Sequence, residues 1–423
     1  MLIEDGMCKM KRLNIVILTR EYPPETTWGG CSIVNYNLAR ALAGSGHEVH
    51  VICQGVNHEY DKLEEGVWVH RVGKDARNYS VIAWIKYMLS SWRKLRELRA
   101  TGRVDVIQAD YCRGEGIIGT FQKKSVLIIK SQYLLKNLTS LLKIKNGQDL
   151  KNYLGLVVMR RLTNFVSKRA DRIISESKID CEGVIKDLNL NPEKVDLIYN
   201  GIDTDLFCYK TPNVRNELGL SKNNPLVLFA GRLVRQKGID ILGKAIPLVL
   251  DKKPDTRFLF IGEDEEFFSP FRSWMELQAE KNGFISNLIF KGFQQHAELP
   301  GFYSACDVFI LPSRKESFAL VVAEAMACGR PVVATPVGIV PELNQEKARG
   351  LKVVPKENIK ELAKGILEML SLTDQEKKYV AQENRELIRR NFCFSSWTDQ
   401  ITNTYEKALK KKENIYKMQH RKN

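Results

Sequence analysis

The sequence predicts an α/β protein built from two Rossmann-like, doubly wound domains in series, and three observations predict it. Short β-rich runs alternate with segments of helical periodicity, the alternation pauses near Asn200–Pro225 and then restarts, and 423 residues with 44% hydrophobic composition suffice for two or three compact units. In the first half, Leu13–Leu18, Glu48–Cys53, Val104–Gln108, Ser125–Ile129 and Arg172–Ser175 read as strands of a parallel sheet. In the second half, Leu226–Ala230, Phe258–Ile261, Leu288–Lys291, Val308–Leu311 and Pro331–Ala334 repeat the pattern, with helices at about 238–251, 270–282, 297–305 and 317–328. Turn residues gather between the halves in Asn200-Gly-Ile-Asp-Thr-Asp205 and Leu220-Ser-Lys-Asn-Asn-Pro225, so the division is drawn as 1–202, 203–395 and a terminal 396–423.

Composition narrows the function classes. Apolar stretches such as Val81–Leu89, interrupted by Lys86, and Ser125–Ile129, ended by Lys130, fall far short of the roughly 20 residues that a bilayer span needs. Glu4, Asp5, Lys9, Lys11 and Arg12 precede a four-residue apolar run, unlike a signal peptide, and the cytoplasm is the expected location. Nine cysteines, an odd number with no CxxC spacing, fit neither a disulfide framework nor a zinc site. The net charge of +15 is uneven: residues 1–200 hold 31 basic and 22 acidic side chains, 201–406 hold 27 of each, and 407–423 hold 7 against 1. Within the first half, 71–178 alone carries 23 basic and 8 acidic residues, which suits an acidic partner approached from one side or a merely solvated basic face.

Three stretches carry chemistry. Glu21-Tyr-Pro-Pro leads to Trp28-Gly29-Gly30-Cys31-Ser32 after the first strand, where glycines at a helix N-terminus form an anion site or an ordinary turn. Gly231-Arg232-Leu-Val-Arg235-Gln-Lys237-Gly238 follows the first strand of the second half and brings two cations to a glycine-flanked turn, an arrangement suited to a diphosphate. Leu311-Pro-Ser313-Arg-Lys-Glu316-Ser317-Phe318 leads into a helix that carries Glu324. Glu316 is either a helix cap or a ligand contact. Glu324 stands among Val321, Val322, Ala323, Ala325 and Met326, where an unpaired charge is costly, so a partner is expected.

Taken together, Gly29-Gly30, Asn200-Gly201-Ile202-Asp203, Gly231-Arg232…Lys237-Gly238, Pro312-Ser313…Glu316 and Glu316-x7-Glu324 resemble the retaining GT-B glycosyltransferases of family 4 over nearly the whole chain. The resemblance implies two domains facing a central cleft: an N-terminal acceptor domain, a C-terminal nucleotide-sugar domain, and a final helix, entered at Phe394-Ser-Ser-Trp397, crossing back to the first. It implies that Arg232 and Lys237 hold the donor diphosphate beside Gly30 and that Glu324 binds the ribose. Glu316, with the amides of Ser317, Phe318, Ala319 and Leu320, would then face the sugar. Glu316, Arg232 and Lys237 are the implied catalytic set, and no metal or separate cofactor is implied.

Departures fall near the sugar. Lys130-Ser131-Gln132 stands where the family carries a His-Thr-Pro-like triplet, so Asp110 and Lys130 are candidate contacts to the donor sugar or acceptor. Ala319 replaces a usual glycine, and a double glycine is reduced to Gly338-Ile339 before Val340-Pro341-Glu342. Altered specificity is the reading of these changes. Asp203-Thr-Asp205 reads as a turn rather than a metal site.

The expected partners are a nucleotide-sugar donor, a glycan or lipid-linked acceptor, and an anionic membrane surface at the amphipathic segment 81–98, with no nucleic acid. A helix packed on the first sheet is the competing reading of that segment. A nucleotide-sugar epimerase of the same fold and a basic, non-catalytic membrane- or nucleic-acid-binding homologue are the alternatives for the chain. A dinucleotide oxidoreductase lacks its Gly-x-Gly-x-x-Gly after either first strand.

Overall fold

Apolar, β-branched runs give the chain two mainly parallel sheets. A computed structural model describes residues 11–26, 29–74, 81–111, 114–122, 124–131, 147–210, 213–221, 223–264 and 271–420. The first sheet comprises β1 (Asn14–Leu18), β2 (Glu48–Gln54), β3 (Tyr60–Glu64), β4 (Val67–Val72), β5 (Val106–Asp110), β6 (Val126–Ser131), β7 (Arg172–Ser175) and β8 (Val195–Leu197), in the order β3-β4-β2-β1-β5-β6-β7-β8. The second comprises β9 (Leu226–Ala230), β10 (Arg257–Ile261), β11 (Leu288–Gly292), β12 (Val308–Leu311), β13 (Val332–Ala334) and β14 (Leu351–Val353), in the order β11-β10-β9-β12-β13-β14. Numbered from its own first strand, the second sheet runs 3-2-1-4-5-6. Its chain direction reverses between β9 and β12, and open α/β sheets bind ligands outside the strand ends at such a point. The first sheet has the equivalent point between β1 and β5.

Strand composition follows burial. Every residue of β5, β6, β9 and β12 is buried, as expected of strands covered on both faces. Four strands escape the sequence reading. β3 pairs antiparallel with β4 across Glu65-Gly66, both at positive φ (48° and 82°), the conformation of a two-residue hairpin turn. Its sequence Tyr-Asp-Lys-Leu-Glu is that of a charged, half-exposed edge strand, so no apolar run marks it. β8 and β14 have three residues each, too few to show a period.

The compact units divide differently from the expected 1–202 and 203–395. The first consists of Met1–Ser175, Val184–Asp196 and Thr398–Asn423, and the second of Glu176–Gly183 and Leu197–Trp397. The boundary therefore moves to Asp196/Leu197, because Asn200 belongs to the second core: its Nδ2 donates to the buried Glu176 Oε2 at 2.7 Å. The helix Phe394–His420 runs from the second unit into the first, where Ile401, Tyr405 and Ala408 are buried. Tyr405 OH donates to Gln108 Oε1 (2.7 Å), and Lys412 Nζ donates to Ser125 O (2.7 Å) and Asp171 Oδ2 (3.0 Å). No helix among the described residues is long and apolar enough to cross a membrane.

Docking of this last helix on the first unit is testable at Tyr405. Removing the fully buried ring in Tyr405→Ala should cost about 3–5 kcal/mol, whereas Tyr405→Phe, which leaves Gln108 Oε1 without its donor, should cost about 1–2 kcal/mol. Urea midpoints of the two variants give both values, and equal midpoints for wild type and Tyr405→Ala would contradict the docking.

Candidate functional site

The second unit's reversal point is where its charged residues meet. The loop leaving β9 and the loop leaving β12 are fastened to each other: Arg314 N donates to Gln236 O (2.8 Å) and Gln236 Nε2 to Lys315 O (3.2 Å). The Arg314 guanidinium adds a bidentate pair to Asp240 (2.6 and 2.9 Å), in the first turn of helix Ile239–Leu250. Burial works against the Asp240 charge, but the Arg314 contacts outweigh it and hold the carboxyl below its ordinary range. Gly238, at φ 70°, joins the loop to that helix, and a Cβ there would overlap the carbonyl of Pro312.

On this frame Lys237 Nζ donates to both oxygens of Glu316, at 2.8 and 2.9 Å, and Ser313 Oγ donates to Glu316 Oε1 at 2.6 Å. The pair is partly buried, with 17% of the Lys237 side chain and 11% of the Glu316 side chain exposed, so each group remains accessible to a ligand. Arg232 follows Gly231 on the same loop and is exposed. Ser317, Phe318 and Ala319 lead into helix Leu320–Ala327, which begins three residues later than the sequence suggests, so Glu316 stays on the loop. Ser177 Oγ supports this approach by donating to Ser317 O at 2.6 Å, and Lys178 N donates to Glu342 Oε1 at 2.9 Å.

Glu324 is buried on that helix, with 3% of the residue exposed. The partners that its apolar neighbourhood demands are His296, whose Nε2 lies 2.8 Å from Oε1, and Tyr303, whose hydroxyl donates to Oε2 at 3.0 Å. Burial first, and then the Glu324 carboxylate, push the Tyr303 phenol well above the ordinary tyrosine range, so it stays a donor. The sequence reading missed both residues; the available signal was a polar-tipped aromatic on the short helix Leu299–Ala305 and a histidine just before it.

The remaining candidates lie in the first unit. Gly30 is exposed and opens helix Gly30–Gly44, where Gly29 N donates to Ser32 Oγ at 3.0 Å. Asp110 ends β5 at the reversal point, and its Oδ2 accepts from Thr19 Oγ1 (2.9 Å) and Asn35 Nδ2 (2.8 Å). Lys130 sits opposite Asp110 in the β5–β6 register and is fully buried. The contact expected of Lys130 meets this burial: no part of the residue is exposed to solvent. Gln132 of the departing triplet lies outside the described residues. Asp203 caps its own turn, Oδ1 accepting from Leu206 N at 2.9 Å, and no group of three metal-ligating side chains occurs among the described residues.

Comparison with known proteins identifies the family. A family model described as Glycosyltransferase Family 4 matches residues 28–206, and one described as Glycosyl transferases group 1 matches residues 210–386. The chain belongs to this glycosyltransferase family. The glycosyltransferase is 28% identical to an uncharacterized glycosyltransferase of Methanocaldococcus jannaschii over 94% of this chain and 99% of that one. It is 26% identical to N-acetyl-alpha-D-glucosaminyl L-malate synthase of Bacillus anthracis over 76% of this chain and 80% of that one. Its GT-B fold is shared with sucrose-phosphate synthase from Thermosynechococcus elongatus (TM-score 0.75, 21% identity, 94% and 99% coverage). It is shared also with Anabaena HepE in complex with UDP and glucose (TM-score 0.71, 20% identity, 94% and 100% coverage).

Two family departures have a local explanation in this glycosyltransferase. Gly338, at φ 53°, lies against Phe318, where a Cβ would overlap the Phe318 carbonyl that accepts from Ile339 N at 2.9 Å. The residue replacing the second glycine, Ile339, has an ordinary φ of −84° and is fully buried, so a side chain fits there. Ala319 instead keeps the left-handed conformation (φ 74°, ψ 53°) that favours glycine. Relief of that strain, about 1–2 kcal/mol, should exceed the roughly 0.5–1 kcal/mol that a glycine adds in chain entropy. Ala319→Gly is thus expected to be as stable as wild type or up to about 1 kcal/mol more stable, while Ala325→Gly in the same helix should lose about 1 kcal/mol. Melting temperatures rank the three proteins, and a lower value for Ala319→Gly than for Ala325→Gly would contradict the strain.

Proposed function

We propose that this glycosyltransferase moves a sugar from a nucleoside-diphosphate sugar to a glycan or lipid-linked acceptor, with retention at the anomeric carbon and without a metal. The observation that carries the reading is the Lys237–Glu316 pair at the second sheet's reversal point, with Arg232 on the same loop. UDP and UDP-glucose complexes of a protein with the same fold support a nucleotide-sugar donor. A cytoplasmic setting accompanies the reading, supported by seven described thiols that are all unbridged. The acceptor would be met at a membrane surface by peripheral association.

In this reading the bond from the anomeric carbon to the β-phosphate oxygen breaks as the acceptor oxygen attacks from the same face. The acceptor's proton passes to the departing diphosphate. Negative charge gathers on that leaving group, and Arg232 and Lys237 stabilise it as fixed cations. Lys237 must turn from Glu316 to the phosphate, which frees Glu316 beside the carbon where positive charge develops. Gly30 approaches the diphosphate, and the amides of Ser317, Phe318, Ala319 and Leu320 orient the sugar. Glu324 takes the ribose hydroxyls, with His296 and Tyr303 fixing its two oxygens. Asp110 is the first unit's candidate for contact with donor sugar or acceptor.

The two glutamates should separate in their effects. Glu324→Gln should weaken binding of the bare nucleoside diphosphate by about 1.5–3 kcal/mol, the scale of hydrogen bonds to a charged group. Glu316→Ala should cut turnover by more than about tenfold while leaving diphosphate affinity unchanged or higher, since a competitor for Lys237 is removed. Calorimetry and initial rates on the same preparations give both quantities, with thermal melts to check folding; diphosphate affinity lost equally in both would refute the separate roles. A second expectation concerns charge stabilisation: transfer should persist in excess EDTA, and complete loss restored by Mn²⁺ would overturn the metal-free mechanism.

A further inference from the structure

Helix Val81–Thr101 has two apolar faces, and the fold uses only one of them. Tyr87, Met88 and Leu95 are buried in the first unit's core, with Trp84 and Leu98 packed beside them, and Tyr87 OH donates to Thr19 O at 3.0 Å. Ile82, Ile85, Leu89 and Trp92 point the other way and are 67%, 45%, 52% and 39% exposed. Their spacing of three, four and three residues makes one line along the helix, about 15 Å long at 1.5 Å per residue. The packed-helix and membrane-helix readings of segment 81–98 thus describe different sides of the same element.

The charges beside this line have one sign. Residues 81–103 carry six basic side chains and a single carboxylate, Glu97, which is already paired with Lys94 at 2.9 Å. Among the described residues, no carboxylate lies within ion-pair distance of Lys86, Arg93, Arg96 or Arg99, whereas Arg103 pairs with Asp105. The Arg96 guanidinium lies 4.7 Å over the Trp92 ring, leaving an aromatic and a cation at one level, as at a headgroup boundary. A second copy of the chain is a poor occupant, because two-fold pairing would set Arg93 and Arg96 against their own copies. Nucleic acid would satisfy the cations but leave the aliphatic line in water.

We infer that the outward face of helix Val81–Thr101 docks on an anionic lipid bilayer, with Ile82, Ile85, Leu89 and Trp92 in the interface and Lys86, Arg93 and Arg96 on the lipid headgroups. This deepens the proposed transferase reading by naming the surface where a lipid-linked acceptor is met. The test is flotation of the full chain with vesicles of phosphatidylcholine alone or mixed with phosphatidylglycerol, at low and high salt. Wild type should float with the mixed vesicles at low salt and be released by high salt. Both I85S/L89S/W92S and R93E/R96E should lower the bound fraction by about tenfold or more.

Equal flotation with neutral vesicles, or a triple variant that floats like wild type, would overturn the inference. A triple variant whose flotation is unchanged but whose oligomeric state shifts on size exclusion would instead reassign the face to self-association. Nucleoside-diphosphate affinity, measured on the same proteins, separates the two proposals: it should be equal in all of them, and its absence in wild type would count against the transferase reading alone.

Discussion

The second unit depends on how two loops leave one point of a parallel sheet. Because the chain departs in opposite directions from β9 and β12, their exits lie side by side and nothing in the sheet covers them. The Arg314–Asp240 pair and the Arg314–Gln236 and Gln236–Lys315 hydrogen bonds close that gap. Lys237 and Glu316, 79 residues apart in the chain, are consequently presented to each other at hydrogen-bond distance. Ser313 fixes one carboxylate oxygen, and Ser177 supports the loop from behind. The arrangement resembles a drawn clasp: each part is ordinary alone, and the position of the charges comes from their mutual restraint.

Much of this was readable in the sequence, for identifiable reasons. Strands such as Leu226–Ala230 and Val308–Leu311 are covered on both faces and therefore appear as unbroken apolar runs. The loop after the first carries glycine and charge together, which marks Lys237, and Glu316 stands out on the loop leaving the second, eight residues before Glu324. Strand β3 was illegible because an edge strand in water is charged, and β8 and β14 because three residues hold no periodicity. The unit boundary was misplaced because a turn cluster marks where the chain bends and carries no information about which core Asn200 joins.

Side-chain burial was the least readable property. The apolar neighbourhood of Glu324 implied a partner, but the partners come from His296 and Tyr303, 28 and 21 residues earlier, through packing that no local pattern encodes. Lys130 is a candidate contact through its place at the family's triplet, and that placement does not reveal that the residue is fully buried. Helix Val81–Thr101 shows the same limit differently: its apolar content was plain, but a residue list cannot say which side faces the core when both sides are apolar.

The Lys237–Glu316 contact also bears on which molecules can enter. The lysine has a counterion in Glu316, held bidentate and steadied by Ser313. A neutral sugar or a nucleoside offers nothing to replace it, whereas a diphosphate brings more negative charge than the carboxylate it displaces. Under the proposed function entry would be ordered: the phosphates would come first, and the liberated carboxylate would then become available to whatever they carry. A competitor built on the sugar alone would meet a closed latch, and one that keeps two phosphates would bring the key.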